Sequence, residues 1–217
     1  MAGSTPERPI SVINGERVRL DLMMPHDELQ EGVGQVDRVS AAAFAGHSVL
    51  AISILKGARP FAAAMLSGRF GAMVRHTHVE VQLSSRRNGM EGPGELQIVQ
   101  DIPEDVSVAG QHAFVMEDLV DSGYCMSLYA QKLLDQGAAS VTIASALNKP
   151  SARKFELPSG VAHISAFDVH QDLWVTGYGM DIADEHRELK GIWVPETQLA
   201  EVPVDQWYQP SARQIAR

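Results

Sequence analysis

The chain has 217 residues, 45% hydrophobic and 21% charged, the length of one domain and a composition that argues against disorder. Its net charge of −9 leaves no basic field for a nucleic-acid backbone. A single cysteine, Cys125, excludes an internal disulfide and a multi-cysteine zinc site, and fits a reducing compartment. The N-terminal stretch lacks the basic and apolar regions of a secretory signal. The longest apolar runs, Ser48–Leu55 and residues 138–147, fall short of the roughly 20 residues of a membrane span. These features predict a soluble, cytoplasmic protein with no nucleic-acid and no membrane partner.

Residues 1–17, with two prolines and mixed charge, read as a loosely held extension. Residues 25–46 read as a helix: Pro25 opens it, Asp27 and Glu28 suit its first turn, and Gly46 ends it. Ser48–Leu55 is apolar without alternation, as in a strand buried on both faces. A small-residue helix follows near residues 60–69, then an alternating strand over residues 78–83. Residues 84–94 (SSRRNGMEGPG) are polar and glycine-rich, the composition of a mobile loop.

Further strands are expected at residues 95–99 and 112–116. A helix from Tyr124 to Gln136 follows, with Gly137 as its cap, and then a β-rich run over residues 140–147. Trp174 and Val175 are expected in a shorter strand. Strands alternating with helices predict an α/β protein, a mostly parallel twisted sheet flanked by helices. Residues 18–195 form the principal domain in this reading, and residues 196–217 a tail whose Trp207 and Tyr208 suit an internal or an oligomer contact.

The segment VMEDLVDSG, residues 115–123, places Glu117, Asp118 and Asp121 where a strand gives way to a helix. Ligands of parallel sheets bind outside the carboxyl ends of strands, and Ser122–Gly123 opens the helix with free N–H groups suited to phosphate. The carboxylates can hold ribose hydroxyls, hold Mg²⁺ through water, or accept a proton. Caps and dipole partners are the alternative, which accounts for one or two acids better than for three. No GxxxxGK[ST] motif is present, which argues against a P-loop nucleoside triphosphatase. His76 and His78 form an HxH without a third ligand nearby, and a polar strand face accounts for them.

VMEDLVDSG resembles, position for position, the signature of the hypoxanthine-guanine phosphoribosyltransferase family of type I phosphoribosyltransferases. ILKGA (54–58), SALNK (145–149), WVTGYGMD (174–181) and HREL (186–189) extend the likeness in family order over roughly residues 20–195. The resemblance implies a small hood over the sheet and a lid at residues 84–94 that includes Ser85 and Arg86. It assigns Glu117 and Asp118 to the ribose hydroxyls of 5-phosphoribosyl 1-pyrophosphate and, with Asp181, to Mg²⁺. Asp121 becomes the catalytic proton acceptor near N7 of the purine. Ser122, Gly123, Tyr124 and Cys125 would cradle the 5′-phosphate. Lys56, Gly57 and Arg187 would hold pyrophosphate, with an unusual cis peptide at Leu55–Lys56. Lys149, Trp174 and Val175 would bind the purine through its 6-oxo group, its face and its edge.

Three positions depart from the pattern. Tyr124-Cys125 stands where the family has Lys-Thr, Ser85-Arg86 where it has Ser-Tyr, and Ala58-Arg59 where it more often has a second glycine. The implied activity is Mg²⁺-dependent purine salvage: transfer of the phosphoribosyl group to N9 of hypoxanthine, guanine or xanthine, with release of pyrophosphate. The alternative is a non-catalytic nucleotide-binding regulatory protein on the same fold. The family also implies a homodimer or homotetramer.

Overall fold

The computed structural model of the chain describes residues 8–13, 15–86 and 95–211. Ten strands and five α-helices follow one another as β1 (Ile10–Ile13), β2 (Glu16–Met24), α1 (His26–Ala43), β3 (Ser48–Leu55), α2 (Arg59–Ser67), α3 (Arg69–Met73), β4 (Arg75–Arg86), β5 (Glu95–Gln100), β6 (His112–Val120), α4 (Tyr124–Asp135), β7 (Ser140–Asn148), β8 (Ala162–Val169), β9 (Ile192–Pro195), α5 (Glu196–Glu201) and β10 (Tyr208–Pro210).

Seven strands form one sheet in the order β10-β8-β7-β6-β3-β4-β5. The five inner strands are parallel, while the edge strands β5 and β10 run antiparallel. Each face carries its own core, as a buried parallel sheet requires. On one, α1 and α2 place Leu29, Val33, Phe61 and Met65 against Ala51, Phe114 and Met116. On the other, α4 places Met126, Tyr129 and Leu133 against Ile52, Val115 and Ile143. β3 is flanked on one side by β4, which follows it, and on the other by β6, which the chain reaches only after β5. The crevice beyond the ends of β3 and β6 is therefore the topological switch point, where open α/β sheets bind ligands.

Several elements differ from expectation. β6 continues to Val120, because its ladder with β7 runs on through Glu117↔Ser145 and Val120↔Asn148. Glu117 and Asp118 thus stand on the strand rather than in the turn after it. Residues 8–17, expected as a loose extension, enter β1 and the start of β2, a hairpin around Gly15 at φ +84°. Asn14-Gly15 is itself a hairpin signal. With β9, this hairpin makes the three-stranded antiparallel sheet of the hood. Of the expected lid, Ser84, Ser85 and Arg86 continue β4 opposite β5, and residues 87–94 lie outside the described residues. Trp174 and Val175 belong to no strand; their neighbour Thr176 makes a single bridge to Trp193. The stretch after residue 195 contributes α5 and β10, which pairs with β8. No helix among the described residues is long and apolar enough to cross a membrane.

Candidate active site

β3 ends in a cis peptide between Leu55 and Lys56. Gly57 then runs directly beneath β6: a Cβ there would stand 1.6 Å from Asp118 Oδ2 and would displace that carboxylate. Asp118 holds its carboxylate through Oδ1, which accepts from Leu119 N at 2.7 Å. Its own N–H donates to Glu117 Oε1 at 3.0 Å. Glu117 is buried. Burial first, and then the neighbouring Asp118 carboxylate, push its pKa well above the usual carboxylate range.

After β6 the chain passes through Asp121 and Ser122 to Gly123, whose φ of +85° turns it into α4. The first N–H groups of a helix lack intrahelical acceptors, and the macrodipole adds positive character there. Tyr124, at the position where the family carries lysine, packs edge-on against Phe155 with ring centroids 5.0 Å apart. Ser122 O accepts from Lys154 N and Phe155 N at 2.9 and 3.0 Å, so residues 153–155 brace the loop from outside.

Lys149 follows β7 and donates its backbone N–H to Val120 O at 3.0 Å. Its side chain is buried, which lowers its pKa, while the charges of Asp121 and Asp172 act in the opposite direction. Trp174 is 50% exposed, and its backbone N–H donates to Gln198 Oε1 at 2.7 Å. Val175 beside it is buried. Asp181 Oδ1 lies 2.6 Å from Arg187 Nη2, and Arg187 Nη1 donates to Gly179 O at 2.9 Å.

Six of the residues predicted from sequence, Asp118, Asp121, Lys149, Trp174, Val175 and Asp181, line one cavity of about 230 Å³, with Leu119 and Met180 supplying apolar wall. That is smaller than the roughly 300–1,000 Å³ of drug-sized sites and suits a flat heterocycle. Gly57 adjoins the cavity through Asp118, Arg187 through Asp181, and Glu117 through the Asp118 backbone. Gly179 closes the ring, since a Cβ on it would stand 1.9 Å from Gly57 O. Asp172, Gln198, Gly179 and Arg153 take part without having been read from sequence. Each acts through a contact distant along the chain, which no local pattern announces. The HxH histidines point elsewhere: His78 Nε2 pairs with Ser53 Oγ at 2.8 Å and His76 Nδ1 with Val74 O at 2.8 Å.

No family model matches the chain. The hypoxanthine-guanine phosphoribosyltransferase of Bacillus subtilis is 32% identical over 178 residues, 80% of this chain and 91% of its own length. A bifunctional TilS/HprT protein of Listeria monocytogenes is 33% identical over 81% of this chain, which spans 26% of that longer relative. A hypoxanthine-guanine phosphoribosyltransferase structure from Bacillus anthracis superposes with a TM-score of 0.70 at 27% identity, covering 81% of this chain and 97% of the other. The switch-point cavity, the acidic strand end with its glycine turn, and these relatives agree: the chain belongs to the hypoxanthine-guanine phosphoribosyltransferase family.

Proposed function

We propose that the protein transfers the phosphoribosyl group of 5-phosphoribosyl 1-pyrophosphate to N9 of a 6-oxopurine, releasing pyrophosphate. The observation that carries this reading is the convergence of Asp118, Asp121, Lys149, Trp174, Val175 and Asp181 on one cavity at the switch point. Lys149, beside Asp121, donates to the 6-oxo group. Trp174 offers its exposed face to the ring, and the Val175 backbone meets the base edge. N9 attacks C1′ of the ribose as the bond to pyrophosphate breaks. The base proton moves from the purine to the carboxylate of Asp121.

Asp118 and Glu117 hold the ribose hydroxyls, and the helix start from Ser122 to Cys125 holds the 5′-phosphate through N–H groups. Lys56, the Gly57 backbone and Arg187 balance charge on the leaving pyrophosphate. Positive charge growing on the ribose is stabilised by the adjacent carboxylates.

The carboxylates of Glu117, Asp118 and Asp181 are hard oxygen donors of the kind Mg²⁺ takes. No group of three or more His, Cys, Asp or Glu among the described residues is placed to hold a metal alone. That fits an ion bound by one or two carboxylates together with substrate oxygens. Bound Mg²⁺ would supply charge neutralisation on the pyrophosphate. A cytoplasmic homodimer or homotetramer completes the proposal. No observation favours the non-catalytic alternative.

The test mixes the protein with Mg²⁺, 5-phosphoribosyl 1-pyrophosphate and, separately, hypoxanthine, guanine or xanthine, and follows nucleotide formation by absorbance. Turnover with at least one base is expected. No turnover with any base, while GMP still raises the melting temperature, would replace the enzyme with a nucleotide sensor.

A further inference from the structure

From Asp121 to Leu128 the loop and first turn of α4 contain no lysine or arginine. Glu117, Asp118 and Asp121 make the same neighbourhood acidic. A phosphate monoester held there by N–H groups is stabilised further by positive charge brought from another part of the chain. The part in contact is residues 153–155, just beyond the 3₁₀ turn Pro150–Ala152.

The side chain of Arg153 lies directly on Gly123. A Cβ on that glycine would stand 2.7 Å from Arg153 Cδ and 2.9 Å from Arg153 Nη1. On its other side Arg153 Nη2 donates to Asn148 Oδ1 at 2.5 Å. Asn148, fully buried, donates in turn through Nδ2 to Asp168 Oδ1 at 2.8 Å. The guanidinium is thus fixed between the end of β7 and the glycine that opens α4. A planar fork with several donors can be anchored at one edge while serving another, which an ammonium cannot do.

We propose that Arg153 is a positioning residue for the 5′-phosphate. It holds the Gly123 turn in its left-handed conformation and supplies the positive charge that the loop lacks. Gly123 is required by its φ of +85° and by the Phe155 carbonyl, which a Cβ there would meet first, with the Arg153 side chain packed beside it. Because Asn148 immediately precedes Lys149, the same anchor ties the phosphate loop to the residue that meets the base. The identity of the ligand as a 5′-phosphorylated ribose rests on the phosphoribosyl-transfer reading; the contact of Arg153 with the loop does not.

The experiment compares binding of GMP and of guanosine, by calorimetry, to the parent, Arg153→Met and Arg153→Lys. Arg153→Met is expected to weaken GMP about tenfold or more, the value of a charge-assisted contact, while guanosine stays within about twofold. Arg153→Lys keeps the charge without the planar anchor and should recover part of the loss. If Arg153→Met does not fold, the same selective, smaller loss in Arg153→Lys carries the test. Equal losses for GMP and guanosine, or undiminished GMP binding, would overturn the proposal. A parent that binds GMP no better than guanosine would overturn it too. Absence of turnover, with the selective GMP loss intact, would remove the transfer reaction and leave the role of Arg153 standing.

Discussion

Asp118, Asp121 and Lys149 stand at the ends of β6 and β7, central strands with a parallel neighbour on each side. Trp174, Val175 and Asp181 face them from residues 173–191, a segment with no strand and held by scattered contacts. There Thr176 bridges Trp193, Arg187 holds Gly179 O, and Tyr178, Ala183, Asp184 and His186 all adopt positive φ. Non-glycine residues in that region are uncommon and persist where surrounding structure determines them. One wall of the cavity is therefore set by the backbone ladder, and the other by long-range contacts. Side-chain changes on the sheet wall should alter chemistry and spare the fold. Backbone changes on the loop wall should alter both.

The largest expected effect tests the sheet wall. Asp121 is exposed beyond the end of β6. Asp121→Asn should lower kcat by about 10²–10⁴-fold, the usual share of a positioned acid or base, with the melting temperature unchanged. Undiminished turnover in steady-state assays would remove Asp121 from the mechanism.

Gly179→Ala tests the loop wall. Its φ of +97° disfavours a side chain, and the added Cβ would stand 1.9 Å from Gly57 O. Overlap and backbone strain together should cost about 2–6 kcal/mol. The pyrophosphate side should suffer with it, because Gly57 lies under Asp118. Thermal unfolding and the KM for 5-phosphoribosyl 1-pyrophosphate would both shift. A variant as stable as the parent would show that this wall yields more easily than its packing suggests.

The two walls also differ in how far they can be read in advance. β3, α4 and the VMEDLVDSG turn follow from apolar runs, a glycine at the helix start and acids in a local pattern, so their physics is contained in neighbouring residues. The cavity-lining Asp121 was legible for the same reason, whereas Lys149 was legible only through resemblance. The strand was expected to end at residue 116, leaving Glu117 and Asp118 beyond it, but the ladder to β7 carries β6 on to Val120. Trp174, Val175, Asp181 and Arg187 were legible only through resemblance. No periodicity predicts a segment held by Gln198, Trp193 and Gly57. β8, β9 and β10 went unread because two are very short and β8 lies behind an irregular, proline-containing connection.

At Lys149, on the sheet wall, stability and binding pull in opposite directions. Its folded-state pKa is lowered by burial, so the unfolded chain binds its proton more tightly. A base of this kind destabilises the fold at pH values below its folded pKa, and the penalty fades as pH rises toward the unfolded value of 10.5. Lys149→Met should therefore melt higher than the parent at pH 7, with the difference narrowing toward pH 10. The same change removes the proposed donor to the 6-oxo group and should raise the KM for the base about 10–100-fold. A lower melting point at pH 7 would mean that the attraction of Asp121 and Asp172 exceeds the cost of burial.

The smallest effect belongs to Trp174, on the loop wall but half exposed. Its backbone N–H, not its ring, makes the bond to Gln198. Trp174→Ala should therefore leave the segment in place and remove only a stacking face, about 1 kcal/mol or roughly fivefold in affinity. Titration of GMP into the parent and the variant measures this directly, and equal affinity would take the ring out of base recognition. If instead Trp174→Ala lowered the melting temperature as far as Gly179→Ala, the ring would be part of what holds the loop wall. The distinction between side chains that act and backbone that supports would then fail at that position.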